Sequence, residues 1–187
     1  MRLVEELVDE LAAYEAVRIA FEVRSRVNLD LLRSSNGATI TEIPVIPRWK
    51  DYDECAEDRP TALPARFDMS NWLIVSAFES DRRLGGMIVA WNTPGCDMLE
   101  GRSDIVVLFD VRVHPAARGQ GVGRLLFEYV VAWARTHACV ELRVETQDVN
   151  VGACRFYRAM GCELHSVQEG AYGPELDEAM IIWRMQW

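Results

Sequence analysis

Residues 105–113 read Ile-Val-Val-Leu-Phe-Asp-Val-Arg-Val, an almost unbroken apolar run that predicts a strand covered on both faces. His114-Pro115 ends it, because proline has no amide with which to continue a ladder. Gly119, Gly121 and Gly123 follow, and from Val122 apolar residues return at Leu125, Leu126, Tyr129, Val130 and Trp133, the spacing of one helix face. A buried strand that feeds a helix through a glycine turn demands a layered α/β fold with that strand inside. Chemically, such a turn lets several backbone N–H groups converge at the positive end of the helix, forming an anion cradle. A plain tight loop would use the same glycines, and charge separates the two readings.

The chain carries 20 basic and 29 acidic residues among 187, a net charge of −9. A surface that neutralises the phosphates of a nucleic acid is therefore not expected. Acids are nonetheless missing from residues 111–127, which hold Arg112, Arg118 and Arg124, and from residues 149–162, which hold Arg155 and Arg158. Lys50 is the single lysine, so nearly all positive charge is guanidinium, the group that forks onto phosphate oxygens. This pattern fits a bound polyanion. A Walker nucleotide loop needs Gly-Lys-Ser/Thr where Gly123-Arg124-Leu125 stands, and the dinucleotide fingerprint needs a glycine at Arg124.

Periodicity sets the expectations elsewhere. Leu3, Leu7, Val8 and Leu11 predict an amphipathic helix over residues 3–14, and the alternation from Val17 to Val23 predicts a half-buried strand. Residues 28–70, with four prolines and an acidic stretch from Asp51 to Asp58, read as helix fragments and long loops. Residues 72–78 and 86–91 read as a hairpin, and residues 140–145 as a strand with Glu141, Arg143 and Glu145 on its polar side. Asn150 suits the N-cap, and Gly161 the C′ position, of a helix over about 151–160. Strands near 162–168 and 178–185 finish a single α/β domain, residues 1–187.

The acids among the first fifteen residues interrupt any signal-peptide core, and no apolar run approaches the ~18 residues of a membrane helix. Five cysteines without a Cys-x-x-Cys pair suit buried thiols in a reducing cytoplasm. His114, His137 and His165 stand at no metal-ligand spacing, so no metal is expected.

The run Arg118-x-x-Gly121-x-Gly123 after a strand resembles the acetyl-CoA signature of the GNAT superfamily of N-acetyltransferases. Glu145-Thr-Gln-Asp-Val-Asn150, Ala153-Cys-Arg-Phe-Tyr157 and Glu178-Ala-Met-Ile-Ile-Trp183 resemble its streptothricin acetyltransferase branch. The resemblance implies a central, mostly antiparallel mixed sheet of six to seven strands with helices on both faces. It implies acetyl-CoA as co-substrate, with the backbone of Arg118, Gly119, Gln120, Gly121, Val122, Gly123 and Arg124 on the pyrophosphate. Val111 and Val113 would pair with the pantetheine arm, and Asn150 and Ala153 belong to the same donor side. Arg112 and Arg155 would approach the outer phosphates or stand as solvated surface arginines.

The implied reaction moves an acetyl group to a primary amine of a small cationic acceptor, by direct attack in a ternary complex. Tyr157 occupies the position from which the superfamily protonates the leaving thiolate; aromatic packing on the last helix is the structural alternative. Its proton-accepting counterpart is open among Asp110, Glu145 and a water chain, for an ammonium must lose a proton before it attacks. Asp110 is the one acid of an apolar strand, expensive to bury unpartnered, and an ion pair with an arginine such as Arg143 is its structural alternative. The branch often carries glutamate where Phe109 stands. Cys154 reads as packing and not as a nucleophile; Trp183 reads as core or as lining an acceptor pocket. A protein N-terminal or lysine acetyltransferase and a non-catalytic CoA-binding sensor are the competing functions. A homodimer through Trp187 and the N-terminal helix is one open oligomeric state.

Overall fold

The structure, a computed structural model, describes residues 1–187. In chain order the elements are β1 (Arg2–Glu6), α1 (Leu11–Glu15), β2 (Phe21–Val27), α2 (Leu29–Ser34), β3 (Glu42–Lys50) and α3 (Leu63–Arg66). They continue with β4 (Leu73–Glu79), β5 (Arg82–Trp91), β6 (Ile105–Val113), α4 (Val122–Thr136), β7 (Glu141–Gln147), α5 (Val151–Ala159), β8 (Glu163–Glu169) and β9 (Ala179–Gln186). The chain divides into two compact units, Met1–Ala20 with Asp51–Leu142, and Phe21–Lys50 with Arg143–Trp187. No helix is long and apolar enough to cross a membrane.

In the first unit the strands run β1-β4-β5-β6, each neighbouring pair antiparallel. The hairpin expected from residues 72–91 is β4 and β5, closed at Glu79↔Arg82. Ile105, Val106, Val107 and Leu108 are all buried, as the apolar run requires, whereas Phe109, Asp110 and Val111 are half-buried. α4 lies against β4, β5 and β6 through Val122, Leu126, Phe127, Val130 and Ala134, an i, i+4 stripe.

The N-terminal helix expected over residues 3–14 is a correction. Residues 2–6 form an edge strand on β4, a 3-10 turn follows, and only Leu11–Glu15 is helical. The spacing Leu3, Leu7, Val8, Leu11 straddles that change of geometry: Leu7 is left 77% exposed, so these residues never share a face. A short isolated helix is marginal, and ladder bonds to a long strand outweigh it.

In the second unit the run is β7-β9-β8, with β8 and β9 antiparallel, and β2 and β3 pair as a separate antiparallel ribbon. Two further expectations change here. The strand read from Val17 begins only at Phe21 and continues to Val27. β3 falls in the stretch read as loops because Pro44 and Pro47 counted against a strand. Both sit by the register shift opposite Val23 and Ser25 in a two-stranded ribbon, where a missing donor is tolerated. β7 is also less amphipathic than its alternation: Glu141 and Arg143 are buried along with Leu142 and Val144, and Val140 is exposed.

α5 is bounded as expected. The Asn150 side chain accepts from the Ala153 amide at 3.1 Å. At the other end Gly161, with φ +92°, donates to the Arg158 carbonyl and Cys162 to the Tyr157 carbonyl, the paired bonds of a Schellman closure. Trp187 is half-buried and not exposed, and Trp183 is wholly buried core.

Candidate active site

The glycine turn lies in the first unit. His114 caps a short 3-10 turn by accepting from the Ala116 amide at 3.2 Å, and Arg118 Nε returns to the Val113 carbonyl at 3.1 Å. Gly119 and Gly121 follow with φ of +74° and +84°, left-handed backbone that favours glycine, and a Cβ at either would stand in open space. Gly121 is the N-cap of α4 and offers no capping side chain. The first helical bond, from the Leu125 amide to the Gly121 carbonyl, leaves the amides of Val122, Gly123 and Arg124 ahead of the helical ladder. Burial holds the Arg118 guanidinium below its ordinary pKa with no carboxylate to offset it. Donor-rich backbone at a dipole's positive end, with an uncompensated cation beside it, is suited to an anion. Val111 and Val113 lead into it, opposite Met87 and Gly85 of β5.

The basic windows read differently in space. Arg124 pairs at 2.8 Å with Glu128, one residue past its acid-free window on the same exposed helix face, and exposed Arg155 pairs with Glu42, an acid brought from the distant β3. Arg112 departs furthest from expectation. Its side chain is 1% exposed and gripped by Asp110 and Asp53, each through two N–H donors at 2.8–3.0 Å, with the Glu15 and Val17 carbonyls at 3.2 and 3.3 Å. Burial pulls its pKa down, but the bonds to Asp110 and then Asp53 outweigh burial and hold it above the ordinary value. A guanidinium enclosed in this way is structural: Arg112 is not the solvated surface arginine that the sequence allowed, and its fork is already taken by carboxylates where the other reading turned it to outer phosphates.

The same network answers for Asp110. It forms an ion pair with Arg112, two residues along the same strand face, where the sequence had suggested an arginine such as Arg143; the Tyr14 hydroxyl adds a 2.7 Å bond to Oδ1. Tyr14 reaches it across Gly86, where a Cβ would stand 2.5 Å from the ring. Burial, and then the charge of Asp110, push the Tyr14 pKa well above its usual value, so the phenol remains a donor. Both Asp110 oxygens are thus occupied. Phe109 packs with Phe67 and Trp72, ring centroids 5.4 and 5.0 Å away.

The second unit holds the other candidates. Glu145 is half-buried on β7, and the Tyr172 hydroxyl donates to its Oε1 at 2.8 Å. Gln147, on the same face two residues on, donates from Nε2 to the Tyr172 oxygen at 3.1 Å. Asn150 and Ala153 form the N-cap of α5, and Tyr157 is buried on that helix with Phe156 edge-on at 5.4 Å. Cys154 is wholly buried, and burial pushes its thiol up to about 12. Tyr14, Asp53 and Tyr172 were not anticipated. The glycines at 170 and 173 on either side of Tyr172 were its one visible signal.

The model of the acetyltransferase (GNAT) family matches residues 44–162. Streptothricin acetyltransferase of Escherichia coli is 31% identical over 145 residues, 76% of this chain and 71% of that protein. Streptothricin acetyltransferase A of Bacillus subtilis is 33% identical over 76 residues, 40% of this chain; the chain spans less than half of that relative, 44% of its length. Among solved structures, a Bacillus anthracis protein assigned as a streptothricin acetyltransferase, in complex with acetyl coenzyme A, superposes with a TM-score of 0.74. It is 20% identical and covers 100% of this chain and 99% of its own, a likeness of fold that agrees with the expected sheet architecture. By the family match and the relative that spans most of its length, the chain belongs to the acetyltransferase (GNAT) family.

Proposed function

We propose that the chain is an acetyl-CoA-dependent N-acetyltransferase whose acceptor is a primary amine of a small cationic molecule of the streptothricin kind. The observation that carries the reading is the uncapped start of α4 at Gly121 beside Arg118, whose charge no carboxylate offsets. The turn's amides would hold the donor's pyrophosphate, and Val111 and Val113 would run beside its pantetheine arm. The relatives at 31% and 33% identity, both streptothricin acetyltransferases, support the acceptor class.

In the proposed step the acceptor nitrogen attacks the thioester carbonyl. The N–C bond forms, the C–S bond breaks, the nitrogen's proton goes to Glu145, and the departing sulfur takes a proton from the Tyr157 hydroxyl. Glu145 is preferred to Asp110 because the Asp110 carboxylate already accepts three bonds, two from the Arg112 cation and one from the Tyr14 phenol, whereas Glu145 is held by a neutral phenol at one oxygen. Attack is direct; Cys154, protonated and buried, does not carry the acetyl group.

CoA release from acetyl-CoA, measured against streptothricin, a linear polyamine, a peptide with a free N-terminus and a lysine peptide, tests the reading. Turnover greatest with streptothricin supports it. Preference for either peptide makes this a protein acetyltransferase, and tight acetyl-CoA binding with no release for any amine makes it a sensor.

A further inference from the structure

We infer that Tyr172 is the positioning residue for Glu145, holding its carboxylate in the orientation that accepts the acceptor's proton. The inference rests on the proposal that Glu145 is the base. β7 presents Glu145 and Gln147 on one face, both half-buried, with buried Thr146 turned the other way. A single phenol bridges them: Tyr172 donates to Glu145 Oε1 at 2.8 Å and accepts from Gln147 Nε2 at 3.1 Å. The Gln147 donor settles the direction of the hydroxyl, since an oxygen that accepts there directs its own proton to the carboxylate. Glu145 is fixed at one oxygen by a neutral donor, and its other oxygen, Oε2, is left to receive the proton. This contrasts with Asp110, whose two oxygens face a cation.

Tyr172 comes from the segment between β8 and β9, on a turn closed by the Gly173 amide to the Gly170 carbonyl at 3.2 Å, with left-handed φ of +67° and +83° at the two glycines. These bends bring the aromatic side chain back over β7. A carboxylate on a free rotor samples several orientations, and a misplacement of about 1 Å costs up to about 10²-fold in rate. Restricting that rotor from the opposite segment is the contribution assigned to Tyr172.

The test is a double-mutant cycle on the full chain with acetyl-CoA and whichever amine of the panel turns over fastest. Tyr172→Phe is expected to lower kcat/KM for the amine about 10-fold while the KM for acetyl-CoA and the thermal midpoint stay near wild type. In the Glu145→Gln background the same change should cost nothing further. Equal losses in both backgrounds, or no loss in either, overturn the inference. Wild-type turnover by Glu145→Gln overturns the base assignment itself, and a panel without turnover overturns the proposed activity; the inference falls with either. Loss of activity in Glu145→Gln with a silent Tyr172→Phe overturns the positioning role alone.

Discussion

Arg112 and Asp110 stand two positions apart on one strand and hold each other through two bonds of 2.8 and 2.9 Å, with Arg112 shut off from solvent. The guanidinium completes its fork on Asp53, 59 residues earlier, and so ties the acidic segment after β3 to the sheet of its unit. Removing one partner of a buried pair leaves the other charge uncompensated. Arg112→Met is expected to destabilise the chain by about 3–5 kcal/mol in urea unfolding. Asp53→Asn, which leaves Asp110 paired, should cost less and keep the KM for acetyl-CoA unchanged. A raised donor KM in Asp53→Asn would return Arg112 to the donor site.

The α4 start separates backbone strain from site occupancy. Gly121→Ala places a side chain at φ +84° and should cost about 1 kcal/mol or more of stability. Gly121→Asn adopts that backbone more readily, so its stability loss should be smaller, yet its side chain fills the open space above the amides. Both should raise the acetyl-CoA KM, Asn by the larger factor, in steady-state kinetics with saturating acceptor. A donor KM that follows stability instead would mean that the turn is only a loop.

Tyr157→Phe removes one hydroxyl from a buried ring. If that hydroxyl protonates the departing thiolate, kcat falls about 10²-fold or more while acetyl-CoA binding, read by calorimetry, is retained. An unchanged kcat would leave Tyr157 as packing against Phe156.

Cys154 links protonation to stability. Its thiol in the folded chain is pushed up to about 12 by burial, from an ordinary value near 9, and Cys162 behaves alike. The folded state therefore holds these protons more tightly than the unfolded state. That contribution is complete below pH 9 and is lost as pH rises from there through about 12. Unfolding free energy should fall across this window, and less steeply in Cys154→Ala. The same variant should keep kcat at neutral pH, since a protonated thiol forms no acyl intermediate.

Local signals were legible and distant ones were not. The strand, glycine turn and helix over residues 105–136 follow from chain-local chemistry: apolar continuity, a proline stop and helical spacing. The Asn150 cap and Gly161 closure are equally local. Tyr14 was hidden because its bond to Asp110 joins residues 96 apart, and nothing near either one announces it. The partner of Asp110 was legible after all, since strand alternation puts positions 110 and 112 on one face. Charge windows misled in the opposite sense: Arg155 lies in an acid-free stretch but meets Glu42 from a ribbon that prolines had disguised.

The two ends of α5 settle when the entropy of orienting Tyr157 is lost. The helix has nine residues; Asn150 fastens its first turn, and the bond that closes its last one is accepted by the carbonyl of Tyr157 itself. Its backbone is therefore ordered by folding and not by the arrival of a ligand. No later step has to freeze those backbone torsions again, so whatever uses this phenol meets a group whose main-chain freedom has already been spent.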